Sequence, residues 1–326
     1  MRRLIVLGLF AAVAALAVLF AIPAEAAPRA VNGQIVFDRF DPALGDSVIY
    51  TVNPDGSHEH QVLPLPAGGP TWSPDGSRIA TNGWPDNEPD AATAIINPDD
   101  GSYRVLPLSD PTVPAACYVW SPDGKRLACQ LFSPPADPSQ NGMYSIRSSD
   151  GRGLTQITST PLHDIPGDYA PDGRRVVFGR FTLDDVGVAL FVINANGTGL
   201  KQITPTGTLL SEGIGGNWSP QGNEIVFSRH VTEDAHSSLW EVHSDGSGLH
   251  EIHVQGLACG GANDDPNGIG CFDPRWSPDG TKIVFGSSSP DGRNIYTINA
   301  DGSGLFQVTH GGDDDSADWG THPLAG

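Results

Sequence analysis

Basic residues are scarce in this sequence of 326 residues. Lys and Arg total 18 against 38 Asp and Glu, so the formal net charge at pH 7 is −20. A protein that neutralises nucleic-acid phosphates needs a positive surface, and so does one that is held on an anionic membrane. The charge balance therefore argues against a nucleic-acid partner and against binding to such a membrane.

Long hydrophobic runs are also rare, and the only one extends from Leu4 to Ile22. A short basic segment precedes it, and the small residues Ala24 and Ala26 follow it, as at a signal-peptidase site. We therefore expect residues 1–26 to be a signal peptide, and 27–326 to be a single secreted, periplasmic or envelope-associated domain without membrane insertion. An uncleaved run would instead anchor the domain in the membrane.

Glycine and proline, in contrast, are abundant, with 40 Gly and 28 Pro. This content is typical of many short strands joined by tight turns, and indicates an all-β protein.

One motif recurs along the chain: an aromatic residue, then Ser-Pro-Asp-Gly, then an apolar strand. Pro favours the second position of a turn, Asp bonds nearby backbone, and Gly accepts a positive φ at its exit. Some copies are degenerate, such as Tyr169-Ala170-Pro171-Asp172-Gly173. The six aromatic residues, 43 to 58 residues apart, are Trp72, Trp120, Tyr169, Trp218, Trp276 and Trp319.

A second motif, a strand followed by an Asp-Gly or Asn-Gly turn, also occurs six times, for example at Ile295–Ile298 before Asp301-Gly302. Together the motifs predict six units of four antiparallel strands, which is the sequence pattern of a six-bladed β-propeller. The strand at Gln34–Phe37 lacks the strand that precedes it in other units, and the strand ending at Trp319 lacks its successor. We therefore predict that the N- and C-terminal strands pair and close the ring.

These repeats resemble the PD40, or WD40-like, repeat of the TolB-type six-bladed propellers. The resemblance covers about residues 33 to 320 and implies the fold more specifically than the function. The same repeat occurs in the propellers of prolyl-oligopeptidase-like enzymes, but no Gly-x-Ser-x-Gly nucleophile elbow occurs in this sequence.

Strand order predicts two unlike faces. One carries the short, uniform Asp-Gly turns, and the other carries irregular loops, where binding usually resides on a rigid frame. These loops are rich in Asp and Glu, which suits a basic partner or equally a merely solvated acidic surface. The irregular loops are expected at Asp38–Ser47, Thr81–Ala92, Leu131–Asn141, Gly179–Gly187, Ser228–Ser238 and Leu257–Pro274.

The mouth of the central channel is expected on this irregular face. The resemblance implies an acidic entrance that receives a peptide, and the exposed aromatic Trp84 is a candidate binding anchor. Asp313 and Asp315 are weak candidates for Ca²⁺, because they lack the spacing of a dedicated calcium loop. The residues expected at the mouth and on this face are His163, Asp164, Glu212, Asp273, Asp313, Asp314, Asp315 and Trp84.

The four cysteines suit an oxidising compartment. Cys117 and Cys129 lie on strands that flank one Ser-Pro-Asp-Gly turn, while Cys259 and Cys271 bracket the longest insertion. We therefore predict the disulfides Cys117–Cys129 and Cys259–Cys271. A Cys₄ zinc site would need cysteine pairs two to four residues apart, which the sequence lacks.

These features favour a monomeric, non-enzymatic propeller that binds a protein or peptide, with no cofactor beyond possible Ca²⁺. One alternative is a propeller enzyme, a lyase or hydrolase of extracellular polysaccharide. Its anionic substrate would need cationic side chains, which an acidic mouth does not favour. The other alternative is that the chain is the ectodomain of a sensor anchored in the membrane.

Overall fold

The computed structural model describes residues 30–81, 91–107, 115–131, 141–160, 162–181, 187–206, 208–210, 215–230, 236–260, 269–289 and 292–326. All regular structure in these ranges is β-strand. None of the described segments forms a helix with the length and hydrophobicity that a membrane crossing requires. The signal-peptide prediction lies outside the described residues.

The strands are mostly short, with two to eight residues each. In chain order they are β1 (Ile35–Asp41), β2 (Asp46–Val52), β3 (His60–Leu63), β4 (Thr71–Trp72), β5 (Ile79–Thr81), β6 (Ala91–Ile96), β7 (Tyr103–Pro107), β8 (Ala115–Trp120), β9 (Arg126–Leu131), β10 (Met143–Arg147), β11 (Thr155–Gln156), β12 (Asp164–Tyr169), β13 (Arg175–Phe181), β14 (Val188–Asn194), β15 (Lys201–Gln202), β16 (Leu209–Leu210), β17 (Asn217–Trp218), β18 (Glu224–His230), β19 (Ser237–His243), β20 (His250–Glu251), β21 (Gly270–Trp276), β22 (Lys282–Ser289), β23 (Gly292–Asn299), β24 (Phe306–Gln307) and β25 (Asp314–Trp319).

Six antiparallel sheets form the blades of a β-propeller, as predicted. Blade I is ordered β25-β1-β2-β3, and blades II, III, IV and VI are β4–β7, β8–β11, β12–β15 and β21–β24. In blade V the innermost strand is split into β16 and β17, which both pair with β18. The innermost strands β4, β8, β12, β17, β21 and β25 are neighbours in a closed ring around the axis.

The ring closes within blade I, where β1 pairs with β25. Ile35 lies opposite Trp319, and Arg39 lies opposite Asp314. The predicted pairing of the terminal strands is therefore confirmed. It also removes the open edge that β1 would otherwise present to another chain.

The core lies between blades. Phe37, Phe178, Phe227 and Phe285 recur at one position of the second strand in four blades, and none is more than 1% exposed. Burying such a ring stabilises the fold by about 1.5–3 kcal/mol. In one cluster, Phe37 of blade I packs with residues that include Val284 of blade VI. These buried phenylalanines thus help to join neighbouring blades.

The Ser-Pro-Asp-Gly turns are held by their own side chains. The Ser73 hydroxyl donates to Asp75 at 2.7 Å and accepts the Arg78 N–H at 2.9 Å. Asp75 also accepts the Ser77 N–H at 3.0 Å, while Gly76 takes a φ of 69°. The Ser-to-Asp hydrogen bond recurs at Ser121–Asp123 and Ser277–Asp279.

Both predicted disulfides are present. Cys117 and Cys129 are directly opposite each other on β8 and β9, and Cys259 is joined to Cys271 at the start of β21. The described part of the chain contains no free cysteine.

The strands extend further towards the irregular face than the sequence indicated. Pairing of β1 with β2 continues from Asp38 opposite Ile49 to Asp41 opposite Asp46. Asp314 and Asp315 likewise lie in β25 rather than in a loop, because they pair with β1. Several acidic residues expected in irregular loops are therefore fixed by backbone hydrogen bonds.

Candidate binding site at the channel mouth

A small cavity of about 210 Å³ lies where the six innermost strands meet. Every blade contributes to its wall. One lining residue from each is Ser316, Gly69, Tyr118, Pro166, Asn217 and Asp273, in the order of blades I to VI.

Irregular backbone shapes this wall. Register shifts interrupt the innermost strands of blades I, III, IV and VI where they line the cavity. Asp273 and Ser316 take φ values of 49° and 50°, a region that few residues other than glycine adopt. Each lies three residues before the repeat tryptophan of its blade. The bulges turn polar groups of these positions towards the channel.

Four carboxylates gather at the mouth between blades I and VI: Asp38, Asp273, Asp314 and Asp315. Asp38 is 5% exposed and accepts the Gly69 N–H at 2.7 Å. Burial raises the pKa of Asp38 to about 7, and the negative charges of the other three acids add to the rise against the effect of the Gly69 hydrogen bond. The Gly69 hydrogen bond therefore does not offset the burial of Asp38 and the negative charge of its three acidic neighbours.

Arginines neutralise part of this charge. Asp314 is fully buried and accepts two hydrogen bonds from Arg39, at 2.5 and 3.1 Å. Arg39 also donates to Glu59, while Asp315 forms an ion pair with Arg293. Removing one member of such a buried pair leaves an uncompensated charge, which costs about 3–5 kcal/mol.

The arginines belong to a repeated Phe-x-Arg pattern. Arg39 follows Phe37 and lies 4.8 Å from the ring centre of Tyr50 on β2. Arg180 follows Phe178 in the same way and forms an ion pair with Asp164 at 2.7 Å. The pattern is visible in the sequence, but sequence reasoning missed it, because the acidic partner comes from a strand whose register only the fold defines.

A second set of charges lies deeper in the channel, at the residues just before the repeat aromatics. Asp168 and Asp318 accept the backbone N–H of the aromatic residue in the next blade, at 3.0 and 2.7 Å. Arg275 has Asp273, Asp318 and Asp168 as its charged neighbours, and its Nε has no hydrogen-bond partner. Burial raises the pKa of Asp168 to about 7, although Arg275 opposes the rise.

The structure brings together only part of the expected site. Asp273, Asp314 and Asp315 cluster, whereas Asp164 pairs with Arg180 in blade IV and the exposed His163 packs edge to face on Phe181. Glu212 and Trp84 lie outside the described residues.

The weak calcium candidates share a cation. Asp315 is paired with Arg293, and the exposed Asp313 lies 4.0 Å from the same guanidinium. A calcium ion here would have to compete with that charge.

Comparisons with known proteins identify the fold. No family model matches the sequence, and no curated protein matches it. Similar solved structures include TolB from Acinetobacter baumannii, with a TM-score of 0.66 and 17% identity over 88% of this chain. This chain spans 66% of that TolB.

Two further similar structures differ in function. A protein assigned as TolB from Agrobacterium tumefaciens has a TM-score of 0.63 and 18% identity, with 86% of this chain and 91% of that one covered. An oligogalacturonate lyase from Vibrio parahaemolyticus has a TM-score of 0.50 and 13% identity, with 81% and 71% covered. At these identities the likeness shows the fold alone, which is a TolB-like six-bladed β-propeller.

Proposed function

We propose that this protein is a secreted or envelope-associated, non-enzymatic propeller that binds a protein or peptide through the channel mouth. The observation that carries the proposal is that Asp273, Asp314 and Asp315 lie near enough to Asp38, at the mouth, for their negative charges to act on its carboxylate. The TolB-like fold supports the same role, since a ring of blades offers a rigid frame for a binding loop face.

The charge at the mouth favours a basic group on the partner. Burial and like charge hold the pKa of Asp38 near 7, so an approaching Lys or Arg would stabilise its ionised form. The cavity of about 210 Å³ has the volume of about seven water molecules. It suits one long side chain or a chain end, with the rest of the partner on the irregular face.

The arginines at the mouth make an anionic ligand less suitable. Arg39, Arg180 and Arg293 are each paired with a carboxylate. An acidic sugar would have to displace those carboxylates before it reached these three cations, and Arg275 in the cavity wall is itself surrounded by Asp273, Asp318 and Asp168. This favours the peptide binder over the polysaccharide lyase.

The proposed compartment is the cell exterior or the periplasm. It rests on the basic and apolar N-terminal pattern of the sequence and on the two disulfides, which persist in oxidising compartments.

Site-specific photo-crosslinking tests this proposal. A photoreactive residue at His163, which is exposed directly before β12 at the end of that strand on the irregular face, should capture a partner from an envelope extract. The matched control places it at Lys125, whose side chain is 79% exposed in a turn on the opposite face. Capture should also fall in the Asp273→Asn variant and not in the Asp123→Asn variant of the control turn. Equal capture from both faces, or equal capture by both variants, would refute the proposed site.

A further inference from the structure

Blade V brings together two carboxylates and an imidazole outside the channel. The ligand atoms of Glu224, Glu241 and His243 all lie within 4.8 Å of one another. Glu224 is directly opposite His243 on β18 and β19, and Glu241 is opposite Val226, two residues along. Because alternate residues of a strand share a face, all three side chains lie on one face of the sheet.

That face is turned towards blade VI. Val226 lies two residues from Glu224, and Leu239 lies two residues from Glu241, so both share the face of these acids. Both also pack in one cluster with Trp276 and Ile283 of blade VI. The three polar side chains lie at the margin of this cluster. His243 is exposed, so the group has access to solvent.

Glu241 is the unusual member. Within the described residues four acids are less than 10% exposed: Asp38, Asp164, Asp314 and Glu241. The first accepts a backbone N–H, and the next two are paired with arginines. Glu241 is 9% exposed, and within the same ranges its side chain has no hydrogen bond or ion pair, while its carboxylate oxygens reach solvent.

The ionisable groups around Glu241 are of the kinds that bind metal ions. The ionisable groups that act on the Glu241 carboxylate are Glu224, His250 and His243, and none of them is a Lys or Arg. Two neighbouring carboxylates without a cation repel each other, so a bound metal ion would supply the missing positive charge.

The histidines are oriented for such an ion. His243 Nδ1 lies 3.1 Å from the Ser247 hydroxyl, and Gly248 packs beneath the ring, where a Cβ would come within 2.8 Å of it. His250 is opposite Glu241 on β20, with Nδ1 held 2.8 Å from the Gly248 carbonyl. The contact at Nδ1 leaves Nε2 of each ring for a metal, as second-shell hydrogen bonds commonly arrange, and among the described histidines His243 has a ligand atom within 4.8 Å of both carboxylates.

We propose that Glu224, Glu241 and His243 form a Zn²⁺ site on blade V, with a water molecule as the fourth ligand. Mixed carboxylate and imidazole ligands suit a borderline-soft ion better than Ca²⁺, which prefers oxygen alone. Tetrahedral Zn²⁺ places its donors roughly 3.3 Å apart, so the side chains must close by at most about 1.5 Å. The ion would tie β18 to β19 and, through Glu241, fill the edge of the interface with blade VI.

Zinc titration of the full-length, metal-free protein tests this site. The wild type should bind one Zn²⁺ against a chromogenic chelator, and Zn²⁺ should raise its melting temperature. Glu241→Gln and His243→Ala should each bind Zn²⁺ at least about tenfold more weakly. The matched control is Glu251→Gln, which changes the next residue along β20 and should retain wild-type affinity.

The melting temperature measured in the presence of a chelator reports on folding without any contribution from bound Zn²⁺. Glu241→Gln should melt at or above the wild-type temperature there, because the amide removes a buried charge. His243 is exposed, so His243→Ala provides a second variant that does not disturb the core. Absence of saturable Zn²⁺ binding, wild-type affinity in both variants, or displacement of Zn²⁺ by equimolar Ca²⁺ would overturn the proposal.

Discussion

Asp38 shows how a single residue can oppose the stability of its own fold. Its carboxylate is buried among three others and has a backbone N–H as its hydrogen-bond donor. Folding therefore favours its protonated form. The ionised form of Asp38 therefore does not stabilise the fold, and the proposed basic partner would give its charge a role.

The pH dependence of this effect has a definite sign. The pKa of Asp38 rises from 3.8 in the unfolded chain to about 7 in the fold. Its contribution to stability is therefore fully present below about pH 4 and is lost as the pH rises through 7. Asp38→Asn keeps an oxygen acceptor for the Gly69 N–H and removes the charge. We expect the variant to melt above the wild type at pH 8, with the gap narrowing towards pH 5.

Calorimetry at the two pH values measures this gap. The same variant should bind the partner less well at pH 8, because it lacks the charge. A gap that does not change with pH would show that Asp38 does not titrate between these values.

At the scale of the element, the Asp-Gly turns do more than reverse the chain. In each blade the glycine of this turn lies against the outermost strand of the preceding blade, or against a residue within two positions of that strand. A Cβ on Gly302 of blade VI would lie 2.2 Å from the His253 carbonyl of blade V, and one on Gly101 would lie 2.4 Å from that of Val62. The glycine is thus required both by its positive φ and by the packing of blade on blade.

Two glycine substitutions separate these requirements. Gly124→Ala, at φ 68° with open space around the new Cβ, should cost about 1–2 kcal/mol from backbone strain alone. Gly302→Ala, at φ 81° against the carbonyl, should cost about 1–3 kcal/mol more from overpacking. Urea unfolding of the two variants gives the difference, and equal losses would contradict the packing role.

At the scale of the whole molecule, the ring depends on one long-range pairing. Residues 314–319 of β25 supply the innermost strand of blade I, and the segment after it also holds the ring together. The Gln34 N–H donates to the His322 carbonyl, and the His322 ring stacks on Trp72 at 5.0 Å. Blades I and II are therefore both tied to the C-terminal segment.

Truncation tests which contact closes the ring. A chain that ends after Asp313 lacks β25, leaves Arg39 without Asp314 and exposes the edge of β1. We expect it to lose cooperative unfolding and to aggregate. A chain that ends after Gly320 keeps the pairing and should unfold cooperatively without aggregating, with a modest loss of melting temperature. Scattering and thermal unfolding distinguish the two.

The fold was predictable because its information is local and repeated. Trp72 and the Asp-Gly turns recur with the spacing of a blade, and the cysteine pairs flank a turn or an insertion. The site was only partly predictable. Asp314 was identified as acidic and near the mouth, but its partner Arg39 is 275 residues away in sequence. This ion pair becomes apparent only when the register of β1 on β25 is known.

Glu241 illustrates a second limit. In the sequence it is one acid among 38 Asp and Glu, with nothing in its neighbourhood to single it out. Its burial follows from the packing of blade V on blade VI, and its nearness to Glu224 follows from cross-strand register. Neither is a property of a local motif.

The pairing of β1 with β25 also sets an order of events during folding. Blades II to VI each assemble from a stretch of 37 to 43 residues, whereas blade I must join segments separated by about 275. The entropic cost of closing the longer loop exceeds that of the shorter by about 1.7 kcal/mol. Blade I is therefore expected to form last, so that a nascent ring stays open, with the Asp38 side of its mouth incomplete, until the final strand arrives.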